Sequence, residues 1–516
     1  MSWVLCVLSI LLSFVSTCMM SYVAMAIVMA PWVAPVVAVV LMILLLPFLP
    51  YNWFKRYVII GIAAGSIGGM VGMCLGLTWP SLYFLHKDMF LLWMGTPWKF
   101  AGRVALLVFS AGSFAFLIAH FLRKHLIVEH KLRFPMSQLV HNIVFIDNRQ
   151  SGFMMMLNGV VASSSWNIFT WIARGPLKVY LTQFHTIPVL LSIGFVAGQS
   201  ITIPLFVGIV SRILSINIIN DRFFMAVKQQ EFILTFSAGM LLAVICMGIL
   251  FFLKTLYNKQ SLMQSHFVEL MYRAYENYFY RVSFLGSVVL CCVALSVWEV
   301  SWIQQLYILL TLFALCNAVS MILGRVGVID IQGFISFMIL PFTYFFFAPS
   351  YSVLFVIAFA TVCLGLVVDL LFSYKLAHLA KIPHMQMLLY QAIGFVTAAS
   401  AVGFVLWWYI NSFKLGSSYL LAQQALSQEI FITFSNYNYH ILFLGFLVTW
   451  MLSFICADLL VVIGGFVMPV SMSFWLVLAG SLSYIINKRE KYFPFCFGVY
   501  ASHSVWMVAR ALLFRV

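Results

Sequence analysis

Long apolar segments separated by short polar breaks run along almost the whole chain. Most of these segments are close in length to the about 20 residues that an α-helix needs to cross a bilayer. Some are short or interrupted by glycine, which is typical of re-entrant or broken helices. The pattern predicts about 15 membrane helices, at residues 3–28, 32–50, 57–79, 101–122, 152–173, 187–217, 231–253, 282–298, 303–323, 333–347, 351–373, 386–411, 440–462, 464–486 and 494–513.

Composition excludes a soluble enzyme. Of the 516 residues, 64% are hydrophobic and 8% are charged, whereas a soluble domain is about half apolar and about a quarter charged. A chain of this composition cannot cover a soluble surface of its own size. We therefore predict an all-α polytopic membrane protein, with about 14–16 transmembrane or re-entrant helices in a single domain over residues 1–516.

Positive charge exceeds negative charge, with 28 Lys and Arg against 13 Asp and Glu and a net charge of +15. The basic clusters Lys55-Arg56 and Arg123-Lys124 follow even-numbered predicted helices, and cytoplasmic loops of membrane proteins are rich in such residues. This pattern predicts a cytoplasmic N-terminus. The basic residues at 254–281 fit poorly, because they fall on the outer side in this topology. No RNA-binding signature accompanies the clusters, and we expect no nucleic-acid partner.

The few acidic residues mark candidate functional positions, because an ionised group at the bilayer centre is costly. Asp369 and Asp458 each lie within an apolar segment, in LGLVVDLLF and SFICADLLVV, and each is either functional or a buried structural group. Glu231 lies at the start of a predicted helix. It is either a functional residue or a cap for the positive N-terminal end of that helix. Arg325 and Asp330 flank a glycine break in GRVGVID, where unwound backbone could line a cavity.

Other kinds of site have little support in the sequence. Lys375 follows Asp369 by six residues, too many for a facing i,i+4 pair, so we expect it near the helix end. The histidines show no metal-ligand spacing, and the 10 cysteines contain no CxxC. No nucleophile elbow and no Walker A sequence is present. We expect no metal, cofactor or catalytic residue. Without a Walker A sequence the chain carries no ATPase of its own, so any transport would use an ion gradient or a separate motor subunit.

Three stretches of the first half carry motifs in a definite order. LRKHLIVEHKLRFPMSQ (122–138) joins a basic helix end to a turn at Pro135. PVLLSIGFVAGQSITIPLFVGIVSRIL (188–214) is a glycine-rich helix in which Gln199 is the most polar side chain between the glycines. EFILTFSAGMLLA (231–243) is a helix start that contains Gly239.

Three further stretches continue the order in the second half. GRVGVIDIQGF (324–334) combines a glycine break with a polar helix start. VVDLLFSYKLAHLAKIPHMQMLLYQAIG (367–394) holds polar and turn residues in a fixed register, namely Asp369, Lys375, Pro383, Gln386 and Gly394. FVMPVSMSFWLVLAGSLSYIINKREKYF (466–493) is a helix pair that ends in a basic loop.

In order and spacing, these stretches resemble the oligopeptide transporter family, which includes the yellow-stripe metal-chelate carriers. The resemblance covers residues 120–513. Some family positions differ: Met136-Ser137 replace an acidic–small pair, Ser237 replaces a glycine, and the second Asp of the 367–394 stretch and the Gly after its Lys are absent. The resemblance implies about 16 helices, arranged as two related halves near 1–281 and 282–516 around a central substrate site.

The resemblance also implies a secondary active, proton-coupled symporter that imports small oligopeptides or metal-chelate complexes by alternating access. The candidate residues for substrate and protons are Gln199 for substrate contact, Asp369 as proton acceptor or cavity carboxylate, Lys375 and Arg325 as countercharges, and Glu231 at a helix start. The short termini resemble those of prokaryotic members, which suggests a bacterial inner membrane. A membrane-embedded lipid or polyprenyl transferase is the alternative, and a passive channel ranks third. The sequence leaves the oligomeric state open, and a homo-oligomer is one of the alternatives.

Overall fold

The computed structural model of the chain is almost entirely helical in its described part, and no β-strand occurs there. This confirms the predicted all-α class. The predicted segment 32–50 lies largely outside the described residues, and Asp330, Asp458 and the basic residues Lys259 and Arg273 also lie outside them. The described residues are 3–26, 34, 37, 41, 51–145, 149–172, 187–220, 224, 227, 229–257, 278–327, 331–346, 349–412, 415, 438–454, 459–468, 470–486 and 489–513.

The described part of the chain forms the following α-helices. In chain order they are α1 (Trp3–Ala26), α2 (Tyr51–Thr78), α3 (Pro80–Leu85), α4 (Lys87–Met94), α5 (Pro97–Arg123), α6 (Pro135–Val144), α7 (Arg149–Ile172), α8 (Ile187–Ala197), α9 (Gln199–Leu214), α10 (Gln229–Tyr257), α11 (Tyr278–Val297), α12 (Trp302–Val326), α13 (Ile331–Phe346), α14 (Ser350–Leu379), α15 (His384–Ser412), α16 (Tyr439–Leu452), α17 (Leu459–Val467), α18 (Val470–Ile485) and α19 (Phe493–Leu513). The π-helical turns Lys124–Glu129 and Ser215–Asn220 extend α5 and α9.

Several helices are long and apolar enough to cross a membrane, which identifies a polytopic integral membrane protein. Within the described ranges there are seven: Trp3–Met25, Lys55–Leu85, Pro97–Glu129, Thr202–Asn220, Trp302–Val326, Tyr351–Leu379 and His384–Ser412. Shorter apolar helices such as Leu459–Val467 accompany them. The predicted total of helices and the two related halves extend over residues that are not described, and both stay predictions.

Small residues join α1 to α2 along their whole length. Ser13, Thr17 and Ser21 of α1 lie on the glycines of α2, and the Thr17 hydroxyl donates to the Gly68 carbonyl at 3.0 Å. At Gly72 the approach is so close that a β-carbon would lie 2.6 Å from the Thr17 carbonyl oxygen. Small residues of this kind let helix backbones touch in a membrane. Since Leu5 meets Tyr57 near the start of both helices, α1 and α2 run in the same direction.

Helix α14 lies inside the bundle. Every residue of its most apolar 18-residue window is buried, and it packs against α2, α5, α6, α12, α13 and α15. Its sequence is apolar around the whole helix circumference, which is typical of a helix enclosed by protein. Any polar side chain on α14 therefore lies within the protein interior.

The two ends of this bundle differ in chemistry. At one end, called here the basic end, Arg56 donates to the Gln386 side chain at 2.5 Å and Lys55 lies over the Phe145 ring at 4.6 Å. At the other end, the Trp298 ring stacks on Phe355 with centroids 3.7 Å apart. Tryptophan is enriched where helices meet the membrane–water interface. Helix α14 begins at this aromatic end, near Phe355, and ends at the basic end.

The predicted glycine break in GRVGVID is present at Gly327, whereas the segment 187–217, predicted as one helix, is divided at Gly198. Gly198, with φ of 78°, separates α8 from α9, and Gly327, with φ of 84°, ends α12. Both glycines adopt a backbone conformation that other residues rarely adopt. A further break at Met468, before Pro469, separates α17 from α18, and Arg212 of α9 donates to the carbonyls of Phe466 and Val467 at the end of α17.

We expect Gly72→Leu to lower the melting temperature of the detergent-solubilised protein, because the added side chain forces α1 away from α2. Overpacking of this kind costs about 1–3 kcal/mol or more. The matched control is Gly102→Leu on α5, where a β-carbon meets nothing within 4 Å. Equal melting temperatures for the two variants would contradict the close α1–α2 contact.

Candidate functional site

Asp369 is a carboxyl enclosed within the bundle. It is 3% exposed and accepts a hydrogen bond from the Ser66 hydroxyl of α2, with 2.9 Å between Oγ and Oδ2. No Lys, Arg or His nitrogen of the described chain lies within 4 Å of its oxygens. From helix geometry, Asp369 lies about 7 Å from the midpoint of α14 towards the basic end. The structure thus places the predicted carboxyl deep in the protein, without a countercharge among the described residues.

Lys375 lies near the end of α14, as predicted. It is 6% exposed, and six residues place it about 9 Å further along the axis than Asp369 and on a different side of the helix. Among described residues it forms no hydrogen bond or ion pair. Asp369 and Lys375 are therefore two buried ionisable groups on one helix that do not pair with each other.

The other predicted residues lie on different helices. Arg325 is in the last turn of α12, and Glu231 is half-buried in the first turn of α10, which confirms its helix-start position. Gln199 is the first residue of α9, directly after the Gly198 break. Helix α9 packs against α17 and α18, and α10 against α16. The structure does not bring Arg325 within 4 Å of Asp369.

Three of the motif stretches meet at the basic end. The Phe134 amide donates to the Gly324 carbonyl at 2.8 Å, which joins 122–138 to 324–334. The Ser137 hydroxyl donates to the Phe372 carbonyl at 2.9 Å, which joins 122–138 to 367–394. Pro135 opens α6 at this junction. Segments far apart in the sequence therefore form one surface next to the end of α14.

Charged groups on the π-helical turn also lie at the basic end. Glu129 pairs with His125 at 3.2 Å and with Lys124 at 3.8 Å. Partial burial lowers the pKa of His130 below its usual range, the charges of His125 and Arg325 act in the same direction, and Glu129 opposes them. Arg325 therefore lies within electrostatic range of the 122–138 stretch.

Aromatic and histidine side chains surround the end of α14. The rings of Tyr374 and His384 stack with centroids 4.7 Å apart, and the His120 ring lies 5.6 Å from that of His384. The Tyr374 hydroxyl and His384 Nε2 are buried and form no hydrogen bond with described residues. Arg123 lies within electrostatic range of both Tyr374 and His120. These side chains form a polar cluster with a cationic group beside it, inside an apolar protein.

Gln391 is a buried amide that the sequence pattern did not single out. It is fully buried on α15, and neither its Oε1 nor its Nε2 has a hydrogen-bond partner among described residues. Three and four residues later on the same helix face, Gly394 packs on Ala64 of α2 and Phe395 packs on Phe109 of α5. Gln391 thus lies on the inward face of α15. Its polar character within the apolar segment 386–411 was the available signal.

A second polar group lies between α7 and α19. His503 Nδ1 lies 3.2 Å from Asn167 Oδ1, and the Ser164 and Ser502 hydroxyls lie 2.9 Å apart. Beside this group is an apolar cleft of about 490 Å³, bounded by α7, α8, α18 and α19, whose lining includes Ser163. Ser163, Ser164 and Ser165 are consecutive in the sequence, but the pairing of Ser164 with Ser502, 338 positions away, is not visible there.

The described residues contain no cluster of three or more His, Cys, Asp or Glu placed to hold a metal ion. In comparisons with known proteins, no family model matches the chain, and no curated protein matches it at a significant level. The enclosed carboxyl and the helices around it are therefore the features from which a function can be inferred.

We expect Ser66→Ala to destabilise the protein by about 1–3 kcal/mol, because the enclosed Asp369 carboxyl then loses its hydrogen-bond donor. Ser110→Ala on α5 is the matched control. The Ser66 and Ser110 hydroxyls each donate to a backbone carbonyl three residues earlier, but only the Ser66 hydroxyl also donates to a carboxyl. Chemical denaturation in detergent measures the difference, and equal effects of the two substitutions would contradict the contact.

Proposed function

We propose that the protein is a secondary active, proton-coupled symporter that imports small oligopeptides or metal-chelate complexes by alternating access. The observation that carries the proposal is Asp369, a carboxyl enclosed in a membrane-spanning helix, with Ser66 as donor and no cation of the described chain within 4 Å. Ionisable residues inside membranes commonly serve as proton relays. A proton bound to Asp369 removes the charge that the enclosed site does not compensate.

The broken helices support an alternating-access mechanism. Discontinuous helices provide unsatisfied backbone groups for solutes and coupling ions, and transporter sites are commonly built from them. The breaks at Gly198 and Gly327 have this form, and Gln199 follows the first of them. In the proposal, Gln199 contacts the solute, while Arg325 and Glu231 lie at helix ends that move as the site changes its accessibility.

The basic end determines the proposed orientation. Because Lys and Arg accumulate on the cytoplasmic side, we assign the basic end and the N-terminus beside it to the cytoplasm, in a bacterial inner membrane. Asp369 then lies about 15 Å along the helix from the cytoplasmic end of α14. Protons would bind to Asp369 from outside together with the solute and leave towards the cytoplasm after the conformational change.

A second candidate is the membrane-embedded lipid or polyprenyl transferase. One observation favours it: the buried His503–Asn167 pair lies near an apolar cleft of about 490 Å³. A histidine of this kind could act as a general base beside a lipid chain. Under this alternative, His503→Gln abolishes transfer of a radiolabelled acyl or glycosyl group from a lipid donor, while Asp369→Asn leaves that transfer intact.

We expect Asp369→Asn to abolish uptake driven by a pH gradient in proteoliposomes, for a panel of di- to pentapeptides and iron–chelate complexes. Exchange of labelled for unlabelled solute should persist, because asparagine resembles a protonated carboxyl and allows the carrier to change conformation without a proton. Asp88→Asn is the matched control, since Asp88 is exposed in the first turn of α4. It should leave gradient-driven uptake unchanged.

Two results would count against this assignment. Gradient-driven uptake by the Asp369→Asn variant at the wild-type rate would remove Asp369 from the proton path. Absence of both uptake and exchange in the wild-type protein across the panel would reject the symporter for these solutes. Size-exclusion profiles and melting temperatures of each variant verify that the protein is folded.

A further inference from the structure

Lys375 is a buried cation that the proton cycle does not use. It is 6% exposed and has no hydrogen bond or ion pair with any described residue. Lysine is rarely buried unless it is paired, since removing a charge from water is unfavourable without a partner. The chain therefore supplies an ammonium group at the end of α14 and, within its described part, nothing to neutralise it.

The two residues before Lys375 are also buried and polar. The hydroxyls of Ser373 and Tyr374 have no hydrogen-bond partner among described residues. Buried polar groups without partners are uncommon, and each one calls for an explanation such as a bound ion or a ligand. Two consecutive buried hydroxyls without partners, followed by a lysine without a described ion pair, indicate that something other than the described part of the protein binds there.

The charge of the surroundings decides what kind of ligand fits. Arg123 acts electrostatically on Tyr374, and Arg56 lies at the same end, on Gln386. Glu129, on the π-helical turn at this end, is already paired with Lys124 and His125, and Asp369 is about 9 Å away along the helix axis. Among the described residues, the charged side chains named at the end of α14 are therefore mostly positive, which disfavours a cationic ligand and favours an anionic one.

We propose that Lys375 and Tyr374 bind an oxyanion, and that its source is a carboxylate of the transported solute. An ammonium group has three donors and a phenol has one, which suits a carboxylate with two acceptor oxygens. Hydrogen bonds to a charged acceptor are also stronger than neutral ones. This inference rests on the proposed transport function and names its solute class: molecules with a free carboxylate, such as peptides with an unblocked C-terminus.

The phosphate of an anionic lipid headgroup has the same chemistry and is the other source of an oxyanion at a basic membrane end. The two sources differ in what they require. A solute carboxylate binds from water in the absence of anionic lipid, whereas a headgroup is supplied only by the bilayer. The test therefore compares purified protein in neutral detergent with and without added phosphatidylglycerol.

Binding is measured as the rise in melting temperature with a panel of di- to pentapeptides, each as the free acid and as the C-terminal amide. We expect free acids to bind the wild-type protein and amides to bind it at least about tenfold more weakly, which corresponds to the loss of a charged hydrogen bond. Lys375→Met should lose this preference. The control Lys381→Met should keep it, because Lys381 is exposed in the turn after α14.

Tyr374→Phe is the second variant, in case Lys375→Met fails to fold. It keeps the ring that stacks on His384 and removes a hydroxyl without a described partner, so we expect it to fold and to bind free acids more weakly. The proposal is overturned if acids and amides bind equally, if no free acid binds, or if both variants bind acids like the wild type. It is also overturned if only phosphatidylglycerol stabilises the protein through Lys375.

Uptake assays on the same samples separate this inference from the proposed function. Acid-specific binding that depends on Lys375, without proton-driven uptake, supports the oxyanion site and rejects the symporter. Proton-driven uptake of acids and amides at equal rates supports the symporter and rejects the oxyanion site.

Discussion

The enclosure of α14 is the constraint on which the other features of the protein depend. Lipid chains are as apolar as helix surfaces, so close packing, rather than the hydrophobic effect, holds helices together within a bilayer. Small residues provide that packing between α1 and α2, and α2 in turn covers α14. Once α14 is enclosed, its polar groups depend on other helices: Asp369 on Ser66, and the Phe372 carbonyl on Ser137.

Asp369 and Lys375 are enclosed charges that lack an oppositely charged partner in the described protein. If the two side chains were paired, each would neutralise the charge of the other in every conformation. No ligand would then be needed to neutralise either charge. Apart, they have separate requirements, which in the proposed cycle a proton meets at Asp369 and an oxyanion meets at Lys375. A ligand shifts a conformational equilibrium only as far as it interacts differently with the two states. Charges without a partner among the described residues provide such a difference when a ligand neutralises them, and the proposed coupled carrier requires this property.

The sequence predicted those features that depend on local pattern. The all-α membrane class follows from composition, the end of α12 at Gly327 from a glycine break, and the position of Lys375 near a helix end from its spacing of six residues after Asp369. Contacts between distant segments were not predictable, because they depend on which helices become neighbours. Ser66 and Asp369 are 303 residues apart, and Asn167 and His503 are 336 apart.

Proton flux driven by solute measures the proposed coupling at Asp369 directly. Proteoliposomes that contain a pH-sensitive dye, with no imposed pH gradient, receive external peptide or iron–chelate complex. If Asp369 couples protons to solute, addition of a transported solute to the wild-type protein acidifies the lumen, and the Asp369→Asn variant gives no acidification although it still exchanges solute. Solute entry without acidification in the wild type, or equal acidification in the variant, would contradict the account.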